Sequence, residues 1–153
     1  MSIANILLVD DEVSFTETMA KRLSKRNFKI STASSGQESL DFLKNNQEID
    51  VIILDVKMPG MDGIETLQHI KQQFPLINVI MLTGHATVES AIDGMKKGAF
   101  DYLMKPCDMD VLISKVNEAK EAKRKHEEKI HLAKIKEIGQ SFESTRDIIN
   151  SLK

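Results

Sequence analysis

Five short apolar runs punctuate the chain, each followed by a stretch whose apolar residues recur at helical spacing. Residues 5–10 (NILLVD), 51–54 (VIIL) and 78–82 (NVIML) are almost continuously apolar, whereas 28–33 (FKISTA) alternates as a strand does. A fifth strand is predicted over 99–104 (AFDYLM). Residues 13–26, 36–45, 64–73 and 86–96 read as amphipathic helices, the first with Val13, Phe15, Met19, Ala20 and Leu23 on its inner face. Pro75 stops the third helix and Gly98 the fourth. Asp108 is placed to cap a last helix that runs without glycine or proline to Ile138. Gly139 is its expected end, and Ser144 with Asp147 spell a capping box for one more short helix.

The resulting order is βαβαβαβαβα. It implies an α/β fold, a parallel sheet with helices on both faces, because parallel strands need crossover helices and those helices bury both sides. The apolar first, third and fourth strands suit such burial. Ligands of an open sheet of this kind gather beyond the carboxyl ends of its strands.

Composition narrows the class. With 153 residues, 41% apolar and 29% charged, the chain can bury a core without disulfide staples. Its single cysteine, Cys107, forms no internal bridge and is expected to be inert. The N-terminal segment lacks a basic region and cleavage site, and no apolar run reaches 18 residues, so neither a signal peptide nor a membrane span is expected. The cytoplasm is the expected compartment. Residues 1–110 carry 11 Lys/Arg against 16 Asp/Glu, and residues 111–153 carry 10 against 7. An acidic body with a mildly basic tail argues against direct nucleic-acid binding.

The chemistry sits at the strand ends. The first strand runs into Asp10-Asp11, the third into Asp55, the fourth into Thr83 and the fifth into Lys105. In a doubly wound sheet these five converge on one rim. Three close carboxylates repel one another unless a cation sits between them. Mg²⁺ suits few carboxylates plus water or phosphate oxygens. Ca²⁺ would want a cage of more protein oxygens, and no Cys/His cluster calls for zinc. A metal, an aspartate, a lysine and a hydroxyl together suit phosphoryl transfer to that aspartate, a reaction governed by positioning and charge neutralisation. On this reading Asp55 is the nucleophile and Asp10 and Asp11 hold Mg²⁺ directly or through water. Thr83 and Lys105 serve the phosphoryl oxygens.

Asp10-Asp11, Asp55 within LDVKMPGMDG, Thr83-Gly84-His85-Ala86 and Lys105-Pro106 together resemble the receiver domain of two-component response regulators, over roughly residues 3–120. The resemblance implies a flavodoxin-like sheet in the order 2-1-3-4-5 and a cis bond at Lys105-Pro106. It also implies a phosphoryl group accepted on Asp55 from a sensor histidine kinase or phosphotransfer protein. By the same match Tyr102 is a switch residue that follows Thr83, and Lys57, Gly84 and His85 border the phosphoryl group and govern its access and lifetime. Such a protein assists its own phosphorylation and dephosphorylation and is not an enzyme acting on a separate substrate. A phosphatase of the haloacid dehalogenase type needs an acid two residues after the nucleophile, and that place holds Lys57.

The expected division is a receiver over 1–120 and a helical extension over 121–153. Residues 120–129 are nearly all charged and read as a solvated stalk, and His126 within it and His131 just beyond it are surface residues. Beyond it Leu132, Ile135, Ile138 and Phe142 rebuild an apolar stripe, for which a homodimer through the helix is the favoured reading. The segment EIGQSFESTRDIINSLK is also similar to the opening of the ATPase domain of enhancer-binding transcriptional activators, with Phe142 where they usually show proline. No Walker loop occurs, and too few residues follow the receiver for a winged-helix DNA reader. Two alternatives stay open: a phosphate-independent helical adaptor, and the front part of a longer activator.

Overall fold

In the computed structural model, which describes residues 3–152, β1 (Asn5–Val9), β2 (Lys29–Ala33), β3 (Val51–Leu54), β4 (Asn78–Thr83) and β5 (Asp101–Met104) form one parallel sheet in the order β2-β1-β3-β4-β5. The crossovers are α1 (Val13–Ser24), α2 (Gly36–Lys44), α3 (Gly63–Gln73) and α4 (Val88–Lys96), and α5 (Met109–Ser151) follows the last strand. This is the flavodoxin-like topology, with strand order reversing between β1 and β3.

Alternation along each strand sends side chains to opposite faces. Leu7, Val9, Ile52, Leu54, Val79 and Met81 face α2 and α3, where Leu40, Leu43, Leu67 and Ile70 complete one core. Ile6, Leu8, Val51, Ile53, Ile80 and Leu82 face the other way, with Met19 and Leu23 of α1 and Leu112, Val116 and Ala119 of α5. All four residues of β3 are buried, so the strand next to the switch point is dry on both sides.

Local chemistry sets the helix starts. Ser35 Oγ accepts from Glu38 N at 3.1 Å, and the Glu38 carboxylate accepts from Ser34 N and Oγ. Asp62 Oδ1 accepts from Glu65 N at 2.8 Å. These bonds satisfy amides that have no partner within the first turn. At α1 the N-cap Glu12 contributes no side-chain bond. The buried Asp10 accepts from the Glu12 amide at 2.9 Å instead, so α1 starts against a residue of the site itself.

Beside shifts of two residues at the end of α1 and the start of β5, two departures from the sequence reading have a local cause. The helix predicted from residue 86 begins at Val88, because Thr87 is its N-cap in a reciprocal capping box with Ser90. The last helix does not stop at Gly139, and no separate short helix starts at Ser144: α5 continues to Ser151. A single helical glycine costs about 1 kcal/mol, too little to end a helix flanked by good formers. Ser144 lies within the helix rather than at a cap.

The chain divides into two compact units between Lys123 and Arg124. In the first, Lys123 Nζ lies 3.3 Å from Asp50 Oδ1, and Asn78 Nδ2 donates to the Ala119 carbonyl at 2.9 Å. In the second, Leu132, Ile135, Ile138, Phe142, Ile148, Ile149 and Leu152 are exposed. No helix among the described residues is long and apolar enough to cross a membrane.

Candidate functional site

The sheet ladder continues past the strands and positions the site by backbone bonds. Asp10 N donates to Ala33 O at 3.1 Å, Asp55 N to Val9 O at 3.0 Å, and Lys105 N to Thr83 O at 2.9 Å. Asp10, Asp55, Thr83 and Lys105 therefore lie side by side at the carboxyl edge, on both sides of the switch point.

Asp10 and Asp55 are each 2% exposed and Thr83 is fully buried, whereas Asp11 is exposed. One carboxylate oxygen from each of Asp10, Asp11 and Asp55 lies within 4.8 Å of the others. Lys105 Nζ donates to Asp10 Oδ2 at 2.6 Å and lies 3.8 Å from Asp55 Oδ2. Asp55 Oδ1 accepts from Val56 N at 2.8 Å, and Oδ2 is the oxygen that faces Lys105. Thr83 Oγ1 accepts from His85 N at 3.0 Å, so the loop after β4 is tied to the buried hydroxyl.

Burial pushes the Asp55 carboxyl above the usual carboxylate range. The charge of Asp10 adds to that push, while the Thr83 hydroxyl, Lys105 and the Val56 amide oppose it. A divalent cation would relieve the same strain. The donor set is all carboxylate oxygen, two groups buried and one exposed on the solvent side, which fits Mg²⁺ with water completing its shell.

Gly63 explains how Asp55 is approached so closely from α3. A Cβ at residue 63 would overlap the Asp55 carbonyl oxygen and lie 2.7 Å from Val56 Cα, and Gly63 N donates to Val56 O at 2.7 Å. The first turn of α3 thus seats directly on the backbone that carries the aspartate.

These residues are arranged as in a family of signalling domains. A family model described as the response regulator receiver domain matches residues 6–117. The chain belongs to the response regulator receiver family. Its receiver is 38% identical over 112 residues to the DNA-binding transcriptional regulator NtrC of Klebsiella pneumoniae, covering 73% of this chain and 24% of that protein. It is 37% identical over 115 residues to the transcriptional regulatory protein ZraR of Escherichia coli K12, covering 75% and 26%. Among solved structures, a response regulator receiver domain protein from Clostridium thermocellum superposes with a TM-score of 0.76 at 39% identity, covering 80% of this chain and 98% of that one. The chain spans about a quarter of the length of the curated relatives. Receivers of this family are signalling domains rather than enzymes in the usual sense.

Of the other positions singled out in the sequence, Lys57, Gly84 and His85 adjoin the acidic rim. Lys57 and His85 are exposed and, with Asp11, Glu12, Met58 and Pro59, line an open cavity of about 400 Å³. Gly84 leaves the flank of Lys105 clear, since a Cβ there would come only to 4.0 Å from Lys105 Cδ. Lys105-Pro106 is cis. Tyr102 is half-buried against the α3 side of the core, and its hydroxyl lies 2.6 Å from Ser90 Oγ in the α4 capping box. Cys107 is half-buried, its thiol pushed up by burial and by Asp108.

Two residues were not marked by the sequence. Ser90 joins Tyr102 to the start of α4, and Phe15 places its ring centroid 3.8 Å from Lys105 Nζ. Phe15 reads in sequence as one more apolar position on α1, and nothing local announces a lysine that follows the edge strand β5.

Proposed function

We propose that this receiver accepts a phosphoryl group on Asp55 from a sensor histidine kinase or a phosphotransfer protein, and so switches protein–protein contacts. The observation that carries the reading is a nearly inaccessible aspartate, Asp55, whose Oδ2 faces Lys105 beside a second buried carboxylate and a buried hydroxyl.

Asp55 Oδ2 is the nucleophile. Its bond to phosphorus forms as the donor's phosphorus–nitrogen bond breaks, and the electron pair leaves on the imidazole nitrogen. Lys105 pairs with one phosphoryl oxygen, and the Thr83 hydroxyl donates to another. Asp10, Asp11 and Asp55 are the residues that would hold Mg²⁺, which when bound neutralises charge on the phosphoryl oxygens. Lys57, Gly84 and His85 border the approach and influence how long the phosphoryl group persists. Tyr102 and Thr83 act as the switch: a local change of about −1.5 to −2 in charge draws Thr83 and Lys105 toward Asp55 and biases the α4 edge.

Output runs through partner proteins, with no direct contact to nucleic acid and no membrane, in the cytoplasm. In the extension, Ile135, Ile138, Phe142, Ile149 and Leu152 recur at spacings of three and four with Thr145 between them, which supports pairing of two copies through this helix. The curated relatives are transcriptional regulators, which supports a place for this receiver upstream of gene control.

Incubation with acetyl phosphate and Mg²⁺, followed by intact mass and light scattering, tests both parts. The parent is expected to gain one phosphoryl group and Asp55→Asn none. A phosphorylated Asp55→Asn, or an unmodified parent, would refute the acceptor role. A monomer at every concentration would refute the dimer.

A further inference from the structure

Phe15 is half-buried on α1, four residues beyond Asp11. Its ring centroid is 3.8 Å from Lys105 Nζ, well inside the range over which an ammonium is drawn to an aromatic face. The ammonium therefore has three neighbours at one place: Asp10 Oδ2 at 2.6 Å, Asp55 Oδ2 at 3.8 Å and the Phe15 ring.

We propose that Phe15 is a positioning residue for phosphoryl transfer, its ring holding the Lys105 ammonium at the acceptor pocket while the lysine changes hydrogen-bond partners. This rests on the reading of Asp55 as acceptor.

The Lys105 side chain is 15% exposed, so its ammonium has given up most of its water. Lysine is a point charge on a flexible four-carbon stem, and nothing in the stem fixes where that charge lies. Two carboxylates hold it in the resting site. When Asp55 is phosphorylated, Lys105 has to serve an oxygen of the new group, and its bond to Asp10 lengthens or breaks. A hydrogen bond depends steeply on angle. Attraction to a ring quadrupole is broader and persists as the ammonium slides across the face. Gly84, whose Cβ position lies 4.0 Å from Lys105 Cδ, offers no side chain to do the same. An aliphatic residue at position 15 would fill the volume without supplying the attraction.

The test replaces Phe15, one of six phenylalanines, by mono-, di- and trifluorophenylalanine at that site alone. Fluorination weakens the quadrupole with little change in size. In the parent, without metal or donor, Lys105 side-chain protons are expected upfield of those of the other lysines, because they lie over a ring. The displacement is expected to shrink along the series. The rate of phosphorylation by acetyl phosphate is expected to fall stepwise, to about one tenth with three fluorines. Phe15→Tyr is expected to keep the parent's rate, and Phe15→Leu to match the trifluoro protein. A competent parent with a flat fluorine series, or with Lys105 protons at ordinary positions, overturns the role of Phe15 alone. A parent that takes no phosphoryl group overturns the acceptor reading and this role with it. If Phe15→Leu fails to fold, the fluorinated series still decides, since it keeps the ring.

Discussion

Lys105 and Asp10, 95 residues apart in the chain, meet in a 2.6 Å ion pair at the carboxyl edge of the sheet. β1 delivers one partner and β5 the other, and β3 with β4 stand between those strands. The same ammonium lies 3.8 Å from Asp55 Oδ2, so the geometry of this pocket depends on the whole sheet rather than on any one loop.

Asp55→Asn is expected to be more stable than the parent at pH 7 in the absence of metal. Burial, with Asp10, holds the Asp55 carboxyl above its ordinary range, so between the unfolded and folded pKa values the native state binds more protons than the unfolded chain. Stability therefore falls as pH rises through that window. Urea denaturation at pH 7 and at about pH 3.5 should show an advantage for the asparagine variant that vanishes in acid, below the ordinary aspartate pKa. An advantage of equal size at both values would mean that the charge of Asp55 is not its source.

Mg²⁺ should raise the melting temperature of the parent through the three-carboxylate cluster. At one hundred times its dissociation constant a bound ion adds about 2.7 kcal/mol. Because Asp11 is exposed, Asp11→Ala should change metal-free stability by only about 0.5 kcal/mol while losing most of the Mg²⁺ effect. Thermal melts with and without Mg²⁺ distinguish the two. Equal shifts in both proteins would place the ion elsewhere.

Glycine substitutions should act in opposite directions at two sites. Gly63→Ala forces a methyl into the Asp55 and Val56 backbone and should cost about 3 kcal/mol or more, displacing Asp55. Gly139 lies in the α5 helix with open space around its Cβ position, so Gly139→Ala should stabilise that helix by up to about 1 kcal/mol. Denaturation midpoints check the first, and helicity of the extension by circular dichroism checks the second.

The Tyr102–Ser90 bond should be felt at the start of α4. Ser90 Oγ also lies within hydrogen-bond distance of Thr87 O, N and Oγ1. Loss of the Tyr102 bond should cost about 1 kcal/mol, and Ser90→Ala, which also opens the capping box, should cost more. Amide exchange in the first turn of α4 should quicken about fivefold in Tyr102→Phe. The double variant should exchange no faster than Ser90→Ala alone. Additive effects would show that the two hydroxyls act independently.

The order of elements, the buried strands and the five rim residues, Asp10, Asp11, Asp55, Thr83 and Lys105, were legible in the sequence. Runs such as VIIL followed at once by Asp55 state that burial ends in a charge, and parallel crossovers put every such ending on one edge. Turn and cap residues marked most boundaries. They misled at Gly139 and Ser144, where weak local signals were outweighed by the surrounding helix, while Thr87, not used in that reading, starts α4 two residues later through its reciprocal cap with Ser90.

The sequence alone determined which side chains reach the rim, because strand period and crossover handedness are local and repetitive. Only the tertiary structure decided how those side chains pair. That Lys105 leans on Asp10 more closely than on Asp55, that Phe15 covers the lysine, and that Tyr102 bonds Ser90 are contacts between distant segments. Their geometry follows from sheet register and from α1 and α4 packing beside it. No short window of sequence carries that information, because the energy of such a contact depends on distances that exist only after the sheet has formed.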